Sequence, residues 1–284
     1  MDEKTSPNYK NYYRIEDIIG NGASGCIFKG VKIKTKELRA IKIITLNTIK
    51  ANLIGFDDIE KAYNDYINGL IQEVNIMKVC SNINSMKYYE FFNDGNNFVI
   101  IMELCDENLS QLLSRHKKGF YDKEIYEIMK QLNNAFKIMR QNNIIHRDLK
   151  LDNILIKYDD NNNYIIKLSD YGCSKRLNSL GSKIYFKSHV GTATYMAPEI
   201  LKEEDYNYKC DLWSIGIIIY ILKFGKPPFN GCTEKALIES INNFNINSIK
   251  TGNNELDDLI KKLLEKNKEN RLNWDNYFNH PFFK

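Results

Sequence analysis

The stretch His146-Arg147-Asp148-Leu149-Lys150-Leu151-Asp152-Asn153 gives the sequence its most specific chemical pattern. It places a carboxylate that can accept a proton (Asp148) close to a cation that suits a phosphate (Lys150) and an amide that suits a metal ion (Asn153). An amphipathic helix is predicted before this stretch, and a short apolar strand is predicted after it. A string this short is moderately specific, so its interpretation depends on the flanking sequence.

The composition sets limits on size and on partners. The chain has 284 residues, of which 43% are hydrophobic and 27% are charged, and its net charge is +4. This length supports one large domain or two lobes. Long blocks of like charge are absent from the sequence, so we expect neither a nucleic acid nor a membrane as a partner.

Cysteine usage and hydropathy bear on the cellular compartment. The six cysteines form no C-x-x-C pair, which disfavours a zinc site or a disulfide framework and fits a reducing compartment. The N-terminal residues are polar and of mixed charge, unlike a signal peptide. The longest strongly apolar run, 215–222, is far shorter than the ~20 residues that cross a bilayer. We expect a cytoplasmic location, with the nucleus as an alternative.

The first part of the chain predicts a five-stranded antiparallel sheet with one long helix. Alternation of apolar and polar residues predicts strands at residues 12–19, 26–31, 38–44, 87–93 and 98–104. Apolar residues recur with helical spacing over residues 56–80. Residues 1–11 are expected to form a loose tail. We interpret residues 45–66 as an insertion that is either a docking element or a disordered loop.

The second part of the chain is predicted to be mainly helical. Asp122 is the expected cap of a long amphipathic helix that leads to His146. Short strands are predicted at 154–158 and 165–169, around a polar turn. Residues 215–222 and their flanks are apolar on all sides, which indicates a buried central helix. Further helices are expected at 233–241 and 255–267.

Three glycines, Gly20, Gly22 and Gly25, fit the pattern G-x-G-x-x-G. Glycines allow the backbone to approach phosphates closely and to expose amide groups to them. In dinucleotide-binding folds the third glycine opens a helix, whereas here an alternating strand follows, which favours a hairpin. A Rossmann-type oxidoreductase is an alternative that rests on these glycines alone, and a glycine-containing hairpin without a ligand is another.

Three further residues add chemistry at defined places. Lys42 lies on a predicted strand, where it can hold a phosphate, and Glu73 on the next helix can pair with it. Their separation of 31 positions along the chain is the reason for placing an insertion before the helix. Asp170, followed by Tyr171 and Gly172, ends a strand and can join Asn153 in binding Mg²⁺.

In this order the motifs resemble those of a eukaryotic protein kinase, from Tyr13 to Phe283. The motifs that carry the resemblance are Gly20 to Gly25, Ala40-Ile41-Lys42, Glu73, His146 to Asn153, Asp170-Tyr171-Gly172, Ala197-Pro198-Glu199, Asp211 to Gly216, and Arg271. Parts of the chain are similar to calmodulin-dependent, autophagy-initiating and polo-like kinases, and the sequence does not assign it to one of these subfamilies.

The resemblance implies an α+β, bilobal fold. A small lobe with a five-stranded antiparallel sheet and one long helix would span residues 12–104, and a larger, mainly helical lobe would span 105–284. Together they would form one catalytic domain, 12–284, after the tail.

The resemblance also implies an ATP-dependent serine/threonine protein kinase of the EC 2.7.11 class, with Ser or Thr residues of proteins as substrates. The contacts with ATP would come from Ile19, Gly20, Asn21, Gly22, Gly25, Ile27, Ala40, Lys42, Glu73, Met102, Glu103, Cys105, Leu155 and Asp170. Met102 would be the gatekeeper. Asn153 and Asp170 would hold Mg²⁺.

The catalytic roles follow from the same resemblance. Asp148 would orient the substrate hydroxyl and accept its proton, and Lys150 would neutralise the transferring phosphoryl group. Thr192 would hydrogen-bond Asp148 and line the substrate site. Lys150 and the segment 191–199 have the serine/threonine form. Glu199 is expected to pair with Arg271 in a structural role.

Regulation and substrate choice give further expectations. Arg147 suggests activation by a phosphate, which Ser188 would carry and which Arg147 and Lys175 would bind after the action of an upstream activating kinase. Gly69 stands where a further basic partner is usual. Ile221 occupies a position where kinases that read arginine carry Glu. The alternative to an active kinase is a pseudokinase that binds nucleotide as a scaffold.

Overall fold

The computed structural model describes residues 8–22, 25–55, 57–116, 118–176 and 193–284. It divides into two compact units, Met1–Asp106 and Glu107–Lys284, which we call the first and the second unit. Among the helices of the described ranges, none combines the length and the apolar character that crossing a bilayer requires.

The first unit contains the predicted five-stranded antiparallel sheet. Its strands are β1 (Tyr13–Gly22), β2 (Gly25–Lys32), β3 (Leu38–Thr45), β4 (Tyr88–Asn93) and β5 (Asn97–Met102). They are ordered β1-β2-β3-β5-β4 across the sheet. Strands β1 and β2 form an antiparallel hairpin in which Gly22 lies opposite Gly25. The Rossmann interpretation is therefore wrong, because the third glycine begins a strand and not a helix.

Two helices accompany this sheet. Helix α1 (Leu46–Asn52) follows β3 directly, and helix α2 (Ile59–Val79) is the predicted long helix. Asp58 caps α2, since its side chain accepts a hydrogen bond from the backbone N–H of Lys61 at 2.9 Å. The segment interpreted as an insertion thus holds α1 and the beginning of α2, and a disordered loop is the wrong description of its helical part.

The second unit is mainly helical, as predicted. Its helices are α3 (Leu109–Ser114), α4 (Asp122–Gln141), α5 (Pro198–Leu201), α6 (Lys209–Phe224), α7 (Glu234–Asn243), α8 (Asn254–Leu263) and α9 (Trp274–Phe278). Its strands are β6 (Glu107–Asn108), β7 (Ile144–Ile145), β8 (Ile154–Tyr158), β9 (Tyr164–Leu168) and β10 (Lys175–Arg176). Strand β8 lies between β6 and β9, and β7 pairs with β10.

Helix α6 is the buried centre of the second unit. Its apolar residues from Leu212 to Leu222 are almost entirely inaccessible to solvent, with Tyr220 as a partly exposed exception. Helix α4 places one apolar face, from Ile125 to Met139, in the same core. Both observations confirm the predictions from periodicity, because a helix that is apolar on all sides gains most by full burial.

Two details of the predicted helices are corrected. Asp122 is the first residue of α4 and not its cap, because its carboxylate accepts a hydrogen bond from Lys223 while Glu124 accepts one from the backbone N–H of Tyr121. Helix α8 ends at Leu263, before the predicted end. The reason is that the backbone N–H of Asn267, which would donate to the carbonyl of Leu263 in a continuing helix, donates instead to the side chain of Glu265 at 3.1 Å.

Candidate active site

Lys42 and Glu73 form a buried ion pair in the first unit. The Lys42 Nζ donates a hydrogen bond to Glu73 Oε1 at 2.7 Å, and the two side chains are 8% and 5% exposed. Strand β3 supplies the lysine and helix α2 supplies the glutamate. The predicted pair is therefore present in spite of the long segment between the two residues.

The glycine hairpin has one position that only glycine fits. Gly25 has φ +143°, and a Cβ atom there would lie 2.4 Å from the carbonyl oxygen of Ile43. Gly20 lies opposite Ile27 in the β1–β2 ladder, and Ile27 lies opposite Lys42 in the β2–β3 ladder. The hairpin thus brings the predicted ATP-contacting backbone and the lysine strand together in one sheet. The exposed Ile19 and Asn21 belong to the same strand, β1.

The predicted hinge follows strand β5 directly. Met102 is buried at the end of β5, where it lies opposite Ala40. The backbone N–H of Glu103 donates to the carbonyl of Lys87 at 2.9 Å, and Cys105 is partly buried. The predicted gatekeeper and the Ala40 position are therefore neighbours in the first unit.

Asp148 is the centre of the hydrogen-bond network in the second unit. Its Oδ2 accepts hydrogen bonds from Lys150 Nζ and from Asn153 Nδ2, both at 2.9 Å. The Asn153 amide also donates to the backbone carbonyl of Asp148 at 2.8 Å. The other oxygen, Oδ1, is buried and accepts no hydrogen bond from the residues that the structure describes. One carboxylate oxygen is thus held in place, and the second is left for a ligand.

The backbone of this loop is held by Asp211. The carboxylate of Asp211 accepts hydrogen bonds from the N–H groups of His146 and Arg147, both at 2.8 Å. Burial raises the pKa of Asp211, and the two N–H donors and the charge of the Arg147 side chain oppose that rise. Arg147 has φ +69°, a strained value for a non-glycine residue, so the loop needs this anchoring.

Ser169, which lies between strand β9 and Asp170, holds Asp170 and Asn153 close together. The N–H and the hydroxyl of Ser169 both donate to the carbonyl of Asn153 at 2.9 Å. Asp170 is exposed and has φ +59°. The pKa of the Cys173 thiol is raised to about 11. Burial is the largest cause, and the negative charges of Asp148 and Asp170 add to it.

The donor set of Asn153 and Asp170 fits Mg²⁺. The Asn153 amide nitrogen is engaged with Asp148, which leaves its oxygen for a cation, and the Asp170 carboxylate is open to solvent. Within the described ranges, no group of three or more His, Cys, Asp and Glu side chains forms a metal site. A pair of oxygen donors is nevertheless enough for Mg²⁺, which retains water and phosphate oxygens as ligands.

Arg147 and Lys175 place two cations close together. The Arg147 guanidinium donates to the carbonyl of Cys173 at 2.5 Å and to the hydroxyl of Tyr206 at 2.9 Å. Burial and the nearby charge of Arg147 both lower the pKa of Lys175. An anion between these two side chains would relieve their repulsion. Ser188, the predicted source of that anion, and Thr192 lie outside the described residues.

Two other predicted residues fit into the framework of the site. Leu155 lies on β8 opposite Asn108, and its neighbours along the strand are fully buried. Glu199 pairs with Arg271 through two bonds of 2.7 and 3.0 Å inside the second unit, which confirms the predicted structural pair.

The sequence reasoning missed the roles of Asp211 and Tyr206. For Asp211 a signal was available, because a carboxylate in the first turn of an otherwise apolar helix must find buried donors. For Tyr206 the sequence holds no comparable signal, since a tyrosine in a polar loop is usually a surface residue.

Comparison with known proteins agrees with this geometry. The protein kinase domain family matches residues 13–283. The serine/threonine-protein kinase atg1 of Dictyostelium discoideum is 34% identical over 95% of this chain and 39% of its own length. The serine/threonine-protein kinase ppk11 of Schizosaccharomyces pombe is 31% identical over 97% of this chain and 82% of its own length. Calcium-dependent protein kinase 4 of Plasmodium falciparum is 32% identical over 97% and 50%.

These matches cover nearly all of this chain, and the chain spans 39% of the length of the Dictyostelium relative and half of the Plasmodium relative. The family match includes every motif described above. The chain belongs to the protein kinase family, and its Dictyostelium and Schizosaccharomyces relatives are named serine/threonine-protein kinases.

Proposed function

We propose that this chain transfers the γ-phosphoryl group of ATP to serine and threonine hydroxyls of protein substrates. The observation that carries the proposal is the state of Asp148. Lys150 and Asn153 hold its Oδ2, while the buried Oδ1 has no partner among the described residues. An unpaired buried carboxylate oxygen costs free energy, which a substrate hydroxyl would recover by donating a hydrogen bond to it.

The other side chains divide the work. Asp148 Oδ1 orients the attacking hydroxyl and receives its proton, and Lys150 stabilises negative charge on the transferring group. Lys42, fixed by Glu73, holds phosphate oxygens of ATP. Asn153 and Asp170 would hold Mg²⁺, which supplies charge neutralisation on the phosphates when bound.

The test is the transfer of labelled γ-phosphate from ATP to a mixed peptide library that contains Ser, Thr and Tyr. We expect Mg²⁺-dependent labelling of Ser and Thr, and a loss of at least a hundredfold in kcat with Asp148→Asn. Asp160→Asn, an exposed aspartate in a turn, is the matched control and should retain the activity. Equal turnover by Asp148→Asn and the wild type would refute the proposal.

The proposal extends to activation by phosphorylation. Arg147 and Lys175 form a cationic pair suited to a phosphate, and Ser188 is the predicted carrier, modified by an upstream kinase. We expect phosphopeptide analysis of the active protein to find phosphate on Ser188. Ser188→Ala should then lower kcat, while Ser182→Ala in the same segment should not. Fully active protein without phosphate would contradict this part of the proposal.

No observation favours the pseudokinase alternative, and the Dictyostelium and Schizosaccharomyces relatives are both named serine/threonine-protein kinases. We propose that the enzyme does not recognise arginine in its protein substrates through residue 221. Kinases that do so carry Glu at this position, whereas here it is Ile221, which is buried in helix α6. The cytoplasm is the proposed location, with the nucleus as the alternative, and imaging of a tagged chain would decide between them.

A further inference from the structure

The segment before α2 contains the short helix α1, to which the proposed function assigns no role. Helix α1 begins at Leu46, immediately after the last residue of the strand that carries Lys42. The side chain of Thr45 caps it by accepting a hydrogen bond from the N–H of Thr48 at 3.1 Å. The N–H of Leu46 donates to the carbonyl of Asn96 at 2.8 Å, in the β4–β5 turn. The start of α1 is therefore fixed to the sheet.

The apolar side of α1 joins the sheet to helix α2. We call the buried residues at this junction the α1 cluster, and they are Ile44, Ile49, Leu53, Leu70 and Phe98. Ile49 and Leu53 come from α1 and the turn after it, and Leu70 comes from α2. Leu70 precedes Glu73 by one helical turn and points to a similar side of α2. The α1 cluster thus includes a residue that lies one turn before Glu73 on the same helix.

Tyr66 connects the α1 cluster with the ion pair. Its ring is partly buried and packs against the α1 cluster. Its hydroxyl oxygen is buried without a hydrogen bond to the described residues, although the Asn52 side chain of α1 approaches it. Burial raises the pKa of Tyr66, and the charges of Lys42 and Glu73 act on it with opposite sign. Tyr66 therefore packs next to α1 and lies on α2 two turns before Glu73, on a similar side of the helix.

We propose that α1 is a positioning element that holds α2 against strand β3 through the α1 cluster and the Tyr66 ring, and so keeps the Lys42–Glu73 pair formed. Glu73 reaches Lys42 at 2.7 Å only while α2 stays in this place. Position 69, one turn before Glu73, carries no side chain that could bind an activating phosphate. The inference rests on the proposed function, in which Lys42 binds ATP.

The first test compares two isoleucines of the same segment. Ile49 is fully buried in the α1 cluster, whereas Ile54 is 82% exposed just after α1. We expect Ile49→Ala to weaken ATP binding, measured by calorimetry, by about tenfold, and Ile54→Ala to change it less than twofold. Tyr66→Ala should weaken binding by about fivefold, while Tyr66→Phe, which keeps the ring, should remain within twofold of the wild type. Should Ile49→Ala fail to fold, the two Tyr66 variants carry the test.

A double-mutant comparison separates positioning from general destabilisation. If α1 acts through the ion pair, Ile49→Ala should have little further effect on ATP affinity once Glu73→Gln has weakened that pair. The same comparison applies to Tyr66→Ala. A full tenfold loss that persists in the Glu73→Gln background would overturn the inference, as would a folded Ile49→Ala protein with wild-type affinity.

Hydrogen exchange keeps the inference separate from the proposed function. Amides of residues 66–79 should exchange at least tenfold faster in Ile49→Ala than in Ile54→Ala, whether or not ATP is turned over. A wild-type chain that binds no ATP would refute the proposed function, and the exchange rates would still test the role of α1. Equal exchange in the two variants would refute that role.

Discussion

The buried pair of Glu199 and Arg271 gives a strong prediction about stability. The Arg271 side chain is fully buried and the Glu199 side chain is 4% exposed. Their two hydrogen bonds measure 2.7 and 3.0 Å, and the guanidinium also donates to the carbonyls of Glu265 and Lys209, both at 2.9 Å. Glu199→Ala would remove the only side-chain anion bonded to this guanidinium among the described residues and would leave the cation buried.

The size of the effect follows from that burial. Breaking a buried ion pair by removing one partner costs about 3–5 kcal/mol, because the remaining charge stays desolvated. The two backbone carbonyls retain part of the hydrogen bonding of Arg271, so we expect the free energy of unfolding to fall by about 3 kcal/mol. A matched control is Asp275→Ala, because Asp275 pairs with Arg140 at 2.7 Å while the two side chains are 64% and 42% exposed. An exposed pair of this kind contributes about 1 kcal/mol or less.

Urea unfolding followed by tryptophan fluorescence is the suitable assay. The two tryptophans, Trp213 and Trp274, both belong to the second unit, so the signal reports the unit that carries the mutation. With a slope of about 2–3 kcal/mol per molar urea, Glu199→Ala should lower the midpoint by about 1–1.5 M. Asp275→Ala should lower it by less than about 0.5 M. Equal midpoints for the two variants would show that burial of the pair does not control its contribution.

Two further predictions use matched residues. Gly25→Ala should weaken ATP binding at least tenfold in a nucleotide titration, because its Cβ would meet the carbonyl of Ile43 at 2.4 Å, whereas Gly95→Ala, also at positive φ but in open space, should change it less than threefold. Burial and two carboxylates raise the pKa of Cys173 to about 11, so its reactive thiolate forms only as the pH rises towards that value. Mass spectrometry should therefore find slower alkylation of Cys173 than of the exposed Cys232 at pH 8. Comparable alkylation rates would contradict the raised pKa of Cys173.

The sheet and the long helices could be predicted because their patterns are local. Alternation located all five strands of the first unit, with differences of at most three residues at their ends. Helix α1 could not be predicted, since its seven residues are too few for a periodic signal and its stability comes from packing on the sheet and on α2. The early end of α8 was also missed, because the N–H of Asn267 bonds to the side chain of Glu265 and not to the carbonyl that would continue the helix.

The active site likewise has features that the sequence predicts and features that it does not. The residues of the loop from His146 to Asn153 were identified from their order alone, because that order has a chemical meaning. Their geometry depends on Asp211, whose carboxylate accepts the N–H groups of His146 and Arg147 although it lies far away in the sequence. A motif can name the side chains, but it does not contain the buried acceptor that holds a strained backbone in place.

The two halves of the machinery are held by different kinds of interaction, and this difference has a consequence for control. The catalytic loop of the second unit is fixed by hydrogen bonds from its own backbone to a buried carboxylate, which leaves it one arrangement. The Lys42–Glu73 pair of the first unit depends on where a whole helix lies against a strand. Moving a helix requires only that packing be loosened, whereas moving the loop would leave buried donors without acceptors. The activity of this chain should therefore be adjusted more easily through α2 and its contacts with α1 than through the loop that carries Asp148.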